Sequence, residues 1–445
     1  MLKSKMVAMH TPDHREILQE LAFYTTVLAG SLSPTAVPTF CELLFGCMLS
    51  TDGFVTQALL SINYHCVWSS YHHWISQGNW RWKQLARRLI RLVCSKSPPD
   101  EPITLGLDDW VVERFSDSAP ACRTHHQHSK KTNRPQYIWG QCWVSLAVIF
   151  ERAADEVFTG IPIISFPAPA SGNASKLKIA VAMLKVVRQE VQDRALRLVM
   201  DCWYMNWTLM QPAMEMNMEV IGQIPSNRAL YALPIIPVVR KRGRPRKYGK
   251  KMTAEQVEKL PEHKAVIWMY GKFRTVRYRT LICRAKFLKG REVRVVWSCF
   301  ENDKGLTERR IFISTNTELK GVEVLQGYSK RWPVEPMFNQ LKHAFGCRHL
   351  WQQKLRTLLR WMHLKMAGYA LLQLLTVCKN QACLNISRIP WRSPDTTTAG
   401  MMRIALSRII PRFPIRKGWN RYHQKYEFNF NELTDQLEPD KAKAA

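Results

Sequence analysis

Between residues 98 and 231 the chain runs through three strand-like segments, a helix, a strand, a helix and a strand, in that order. "ITLGLDDWVVER", "YIWGQCWVSLAVIF" and "IPIISF" are rich in β-branched and aromatic residues and read as strands. A Pro/Ala/Ser/Gly loop at 167–174 leads into "KLKIAVAMLKVVRQEVQ", whose apolar residues recur every three to four positions as in a helix. A short strand "LRLVMD", a helix around "WTLMQPAMEM" and a strand "EVIGQI" complete the run. This order predicts an α/β (α+β) core, a mixed sheet with helices on its faces.

The flanks differ in texture. Residues 1–97 read as a helical N-terminal domain, with "REILQELAFYTTVLAG" and "WKQLARRLIRLVC" as its clearest amphipathic segments. The second carries bases on its polar face, which suits DNA binding and plain solvation equally. "NYHCVWSSYHHWISQGNWRW" between them mixes His, Trp and Ser and takes no assignment. Residues 232–320 interrupt the alternation with a basic linker and a β-rich insertion in which apolar and basic residues alternate, predicting a sheet with one positive face. Residues 321–385 return to helix and complete the core, and 386–445 form a basic C-terminal region.

Sixty-five Lys and Arg against 35 Asp and Glu give a formal charge of +30 distributed along the chain. Such an excess points to a polyanionic partner, because each neutralised phosphate releases condensed counterions. Solubility alone requires far less charge. The 12 Cys contain no CxxC pair, so they predict free thiols in a reducing cytoplasm and not a zinc ribbon or a secreted framework. No signal-peptide core and no run of membrane-spanning length is present, which excludes a membrane partner.

The acids fall at telling places. Asp108 and Asp109 end the first strand and Asp201 ends "RLVMD", so in an open sheet they converge beyond neighbouring strand ends. A strand-end Asp is as often a turn former or cap. In "YSKRWPVEPMFNQLKHAFG", residues 328–346, Glu335 stands among bases. Seven residues turn ~700° on an ideal helix, so Glu335 and Lys342 lie within about 20° of one another. Pro333 and Pro336 suit a first turn, which allows Tyr328 and Arg331 to sit in a turn before the helix. A lone Glu on a basic helix is usually an ion-pair partner. An acid flanked by two cations has a second use: the acid holds a metal and the cations hold phosphates. Three carboxylates make an all-oxygen site suited to Mg2+, with Mn2+ as substitute, and two such ions serve phosphodiester chemistry.

The spacing Tyr328-x2-Arg331-x3-Glu335-x6-Lys342 resembles the YREK signature of a superfamily of bacterial insertion-sequence DDE transposases. "LDDW" resembles its first-aspartate motif, "LVMDCWYMNW" its second, and "IGQIPSNRALY" with "KRGRPRKYG" the linker of one subgroup into the β-insertion. The resemblance spans residues 100–380 and implies a ribonuclease-H-like catalytic core using two Mg2+ ions. It aligns Asp109, Asp201 and Glu335 with the metal-binding acids. Trp110 stands where Thr is common, which leaves Asp108 as the alternative first ligand; strand alternation admits only one of the two. Tyr328, Arg331 and Lys342 would contact DNA at the element ends. The resemblance further implies terminal inverted repeats and target DNA as partners, a homodimer in the synaptic complex, and a bacterial, nucleoid-associated location.

"KRGRPRKYGKK" resembles an AT-hook, making Arg242, Arg244 and Arg246 further DNA-binding candidates; its bland reading is a basic linker. Cys122, His125, His126 and His128 are too crowded for a zinc site and read as a hydrogen-bonded or DNA-facing loop. Trp203, Trp207, Trp268 and Trp297 are candidates to stack on an extrahelical base, although most Trp side chains only pack. The function expected is transposition: hydrolysis at element ends followed by strand transfer. The alternatives are a ribonuclease-H-like nuclease without strand transfer, and a non-enzymatic basic DNA-binding protein.

Overall fold

The computed structural model describes residues 12–126, 135–152, 157–169, 174–235, 246–269, 272–302, 305–388 and 396–430. Five helices come first: α1 (Pro12–Ala29), α2 (Val37–Leu49), α3 (Val55–Leu60), α4 (Trp68–Gln77) and α5 (Trp82–Cys94). Then follow β1 (Ile103–Glu113), β2 (Cys122–His126), β3 (Tyr137–Arg152), β4 (Val157–Pro167), α6 (Ala174–Glu190), β5 (Leu196–Met200), α7 (Trp207–Glu215) and β6 (Met218–Ile224). This is the expected alternation with one strand added: β2 occupies the segment read as a loop around Cys122 and His125. It continues with β7 (Leu230–Ala232), α8 (Ala254–Glu258), β8 (His263–Met269), β9 (Lys272–Ala285), β10 (Arg291–Glu301) and β11 (Thr307–Ser314). Helices α9 (Gly321–Ser329), α10 (Val334–His343), α11 (Leu355–Cys378), α12 (Asn380–Ile386) and α13 (Ala399–Leu406) close the chain.

Among the described residues the strands of the two central regions form one mixed sheet, ordered β2-β3-β1-β5-β6-β11-β10-β9-β7, with β4 on β3 and β8 on β9. β1 is antiparallel to β3 but parallel to β5, and β5 is parallel to β6. Leu107 pairs with Met200, so Asp108 and Asp201 are the next residues along two adjacent parallel strands. The β-rich segment does not stand apart. β11 pairs antiparallel with β6, so β8–β11 extend the core sheet. Their apolar face, with Val276, Val296 and Phe312, is covered by Val324, Leu325 and Tyr328 of α9.

The basic face of α5 is engaged within the protein. Arg87 donates to Glu190 at 2.6 Å, Arg91 donates to the same carboxylate, and that side chain is only 2% exposed. These two cations tie α5 to α6.

Helix α11 is buried along most of its length, and no described helix is long and apolar enough to cross a membrane. Its Lys365 is fully buried and donates to the carbonyls of Asp52 at 2.6 Å and Ser50 at 3.3 Å. The turn it holds packs on Gly346, just past α10. Gly346 has φ +67°, and a Cβ there would meet the Asp52 carbonyl carbon at 2.2 Å. The C-terminal end of α10 is thereby seated against the turn between α2 and α3.

His363, also on α11, is buried; its Nδ1–H donates to the Leu359 carbonyl at 2.7 Å while Nε2 has no partner. Protonating Nε2 would bury an unpaired charge, so burial pulls this imidazole down to about 4. A base depressed in the folded state contributes its full stability above its free value of about 6.5, and that contribution is lost as pH falls towards 4. We expect roughly 3 kcal/mol to disappear over that interval. In urea unfolding across the interval, His363→Gln should flatten the acid limb by a comparable amount.

Candidate active site

The two adjacent aspartates of β1 point to opposite faces of the sheet. Gly106, Asp108 and Trp110 face α10: a Cβ on Gly106 would meet Val334 at 2.6 Å, and the Trp110 ring stacks on Phe338 at 5.6 Å. On that face Arg331, in the turn between α9 and α10, donates from Nη1 to Asp108 Oδ2 at 3.1 Å and from Nη2 to Glu335 Oε1 at 2.6 Å. One guanidinium thus joins two of the acids. Asp201, at the end of β5, accepts from the backbone N–H groups of Trp203 and Tyr204 at 3.1 and 3.2 Å.

Asp109 lies on the other face, beside α6. Its carboxylate accepts from Tyr204 Oη at 2.8 Å, Lys176 Nζ at 2.9 Å and Cys142 Sγ at 3.0 Å. The structure therefore couples Glu335 to Asp108, and gives Asp109 a separate set of donors.

Electrostatics separate the two further. Burial, and then the neighbouring Asp201 charge, push Asp108 up to about 7 against the pull of Arg331. Burial also raises Asp201, with the Asp109 charge adding to it. Burial pushes Asp109 the same way, but the Lys176 ammonium and the Cys142 and Tyr204 donors outweigh it and hold Asp109 below its ordinary value. Arg331 is held above its usual value: burial opposes its charge, while Tyr328, Asp108 and Glu335 favour it.

The other expected contacts are less open than the spacing implies. Tyr328 is 5% exposed, its ring 4.5 Å from Phe312, and Arg331 is 8% exposed; both face inward. They occupy the end of α9 and the following turn, and α10 begins only at Val334, as the two prolines allow. Lys342 lies over the Trp110 ring at 5.6 Å. Arg246 is exposed, whereas Arg242, Arg244 and His128 lie outside the described residues. His125 donates to the Gly140 carbonyl at 3.1 Å, the hydrogen-bonded reading of that segment. Of the tryptophans, Trp203 is 36% exposed beside Asp201, while Trp207 lies under Lys289 and Trp268 packs edge-on with Phe273. Sequence reasoning passed over Lys176, Cys142 and Tyr204. Tyr204 alone had a local signal, standing three residues after Asp201.

The donor set is all carboxylate oxygen and suits a hard divalent cation. Among the described residues no three such groups lie close enough to hold an ion as arranged. Arg331 pairs with Asp108 and Glu335, and Lys176 with Asp109. Asp108 and Asp201 are raised by burial, and Asp108 further by the Asp201 charge, a cost a divalent cation would relieve, so the acids fit such an ion in chemistry.

Asp108 and Asp109 lie inside β1 and not at its end as expected. Asp108 nevertheless sits where the β1–β5 pairing stops, next to Asp201 just past β5, and acids so placed on a mixed α/β sheet define a nuclease-like class. The chain belongs to the DDE superfamily endonucleases, whose family model matches residues 41–282, more than half of its length. Membership implies a nuclease that acts on DNA with divalent metal. The match covers both aspartate motifs and ends before α10, so Glu335 enters the site on geometry. No curated protein matches the chain.

Proposed function

We propose that this endonuclease is a transposase of the bacterial insertion-sequence type with a YREK signature and a ribonuclease-H-like core. The observation that carries the reading is the Arg331 guanidinium shared by Asp108 and Glu335 beside Asp201. The antiparallel β4-β3-β1 hairpins, followed by parallel β5 and β6, support the ribonuclease-H-like assignment.

Asp201, Glu335 and the first aspartate would hold two Mg2+ ions. The resemblance favours Asp109 for that first place; we take Asp108, because it shares a face and a cation with Glu335 while Asp109 is already neutralised by Lys176. When bound, the metal supplies an activated water or 3′-OH and stabilises the leaving oxygen. The chain's own part is positioning. The adjacent interior strands β1 and β5 fix Asp108 and Asp201, α10 brings Glu335, and Arg331 keeps the acids together until the ion and DNA arrive. Lys342 and the 240–251 cluster would bind end phosphates, and two protomers would bring two ends together.

The test is incubation with linear DNA carrying the inverted repeats that flank the gene, with Mg2+. We expect nicks bearing 3′-OH ends and, on adding a plasmid, joined products. Affinity should fall steeply with salt as phosphates are neutralised. Nicks without joined products or end preference would identify the simpler nuclease; no metal-dependent nicking would leave only a DNA-binding protein.

A further inference from the structure

Lys176 is held at the site by contacts the metal chemistry does not use. Its ammonium donates to Asp109 at 2.9 Å and lies 4.9 Å from the Trp203 ring centroid, with 14% of its side chain exposed. Trp203 is set by the site: its backbone N–H donates to Asp201 at 3.1 Å, and its ring meets Tyr204 edge-on at 4.8 Å. Tyr204 in turn donates to Asp109 at 2.8 Å. The result is a cation aimed by a carboxylate and laid on an open indole, one turn from a candidate metal ligand. A structural ion pair alone needs neither the partly exposed ring nor a place beside the acids.

We infer that Lys176 binds a phosphate of the DNA strand that lies against Trp203, and that Asp109 is the positioning residue that aims it, not a metal ligand. An ammonium suits this role as a compact charge whose rotamer freedom is already restricted by Asp109 and Trp203. The indole offers a face on which a base stacks without regard to sequence. Asp109 lies behind the ammonium, fully supplied with donors, so it orients Lys176 through its charge. The inference rests on the reading of the site given above, with Asp108 as first ligand.

The experiment uses the full chain and DNA of the flanking repeats. Binding is measured by anisotropy without metal at several salt concentrations, nicking with Mg2+ gives KM and kcat, and Fe2+-dependent backbone cleavage maps the metal. Lys176→Met should weaken metal-free DNA binding about tenfold and lower the salt slope by roughly one phosphate. Lys176→Arg should restore most of that binding, and Trp203→Ala should weaken it without changing the slope. Asp109→Asn should raise KM as Lys176→Met does while Fe2+ cleavage beside Asp201 persists; Asp108→Asn should abolish that cleavage. An unchanged salt slope in Lys176→Met, or loss of Fe2+ cleavage in Asp109→Asn, overturns the inference. Because slope and Fe2+ cleavage need no turnover, they decide it even if wild-type protein fails to nick, an outcome that counts against the proposed function alone.

Discussion

Glu335→Gln is expected to lower Mg2+-dependent nicking by roughly 10^3-fold or more while DNA binding survives. The substitution keeps the side chain's size, and its amide oxygen can still accept from Arg331 Nη2, now 2.6 Å away. What it removes is the negative charge that would hold a divalent ion. The side chain is 43% exposed, so little folding energy depends on it. Losing the Glu335 charge beside incoming phosphates should leave binding at least as tight. Gel shift and nicking measured side by side separate the two effects. Near wild-type nicking would remove Glu335 from the site and the proposed chemistry with it.

Arg331→Met is expected to destabilise the metal-free protein by about 1.4 kcal/mol more at pH 8 than at pH 6, because it leaves Asp108 buried beside Asp201 without its cation. Glu335 is too exposed to add much. The sign with pH follows from Asp108, which is raised to about 7 in the fold, against about 4 when free. Between those values the unfolded chain has lost the proton and the folded chain keeps it, so this group makes stability fall as pH rises through the interval. Above about 7 the cost is complete. Removing Arg331 should therefore be tolerated far better at pH 6 than at pH 8. Mg2+ should also raise the melting temperature of the variant more than that of wild type. Equal losses at both pH values would mean that Arg331 acts through packing. The signature spacing implies Arg331 as a phosphate clamp, whereas here its guanidinium is 8% exposed and joined to two carboxylates.

The core order was legible because each segment carries its own periodicity. β1, β3, β5 and β6 are apolar runs bounded by turns, and the helix at Ala174 begins just after its small-residue loop. The start of α10 was legible from Pro333, which can only open a helix. The choice between Asp108 and Asp109 was not. It depends on which face α10 packs against, and that is set by Gly106 admitting Val334, a contact 228 positions away along the chain. Lys176 and Tyr204 reach Asp109 from 67 and 95 residues away, so nothing local announces them. The union of the β-rich segment with the core sheet rests on one pairing, β11 with β6, which alternation within β11 cannot reveal. Helix α4 was hidden because only Tyr71 and Ile75 are buried in it while Trp68 is 60% exposed, which blurs the apolar stripe. On α5 the basic pattern was plain, but Glu190 as its partner lies 99 to 103 residues on.

Asp108, Asp201 and Glu335, and not Asp109, are the proposed metal site. That site is tested most directly by anomalous scattering from crystals of the protein with bound end DNA and Mn2+. Manganese is expected about 2.1 Å from carboxylate oxygens of Asp108, Asp201 and Glu335, with Arg331 released from Asp108 and Lys176 still beside Asp109. Manganese on Asp109, with Asp108 still joined to Arg331, would contradict it.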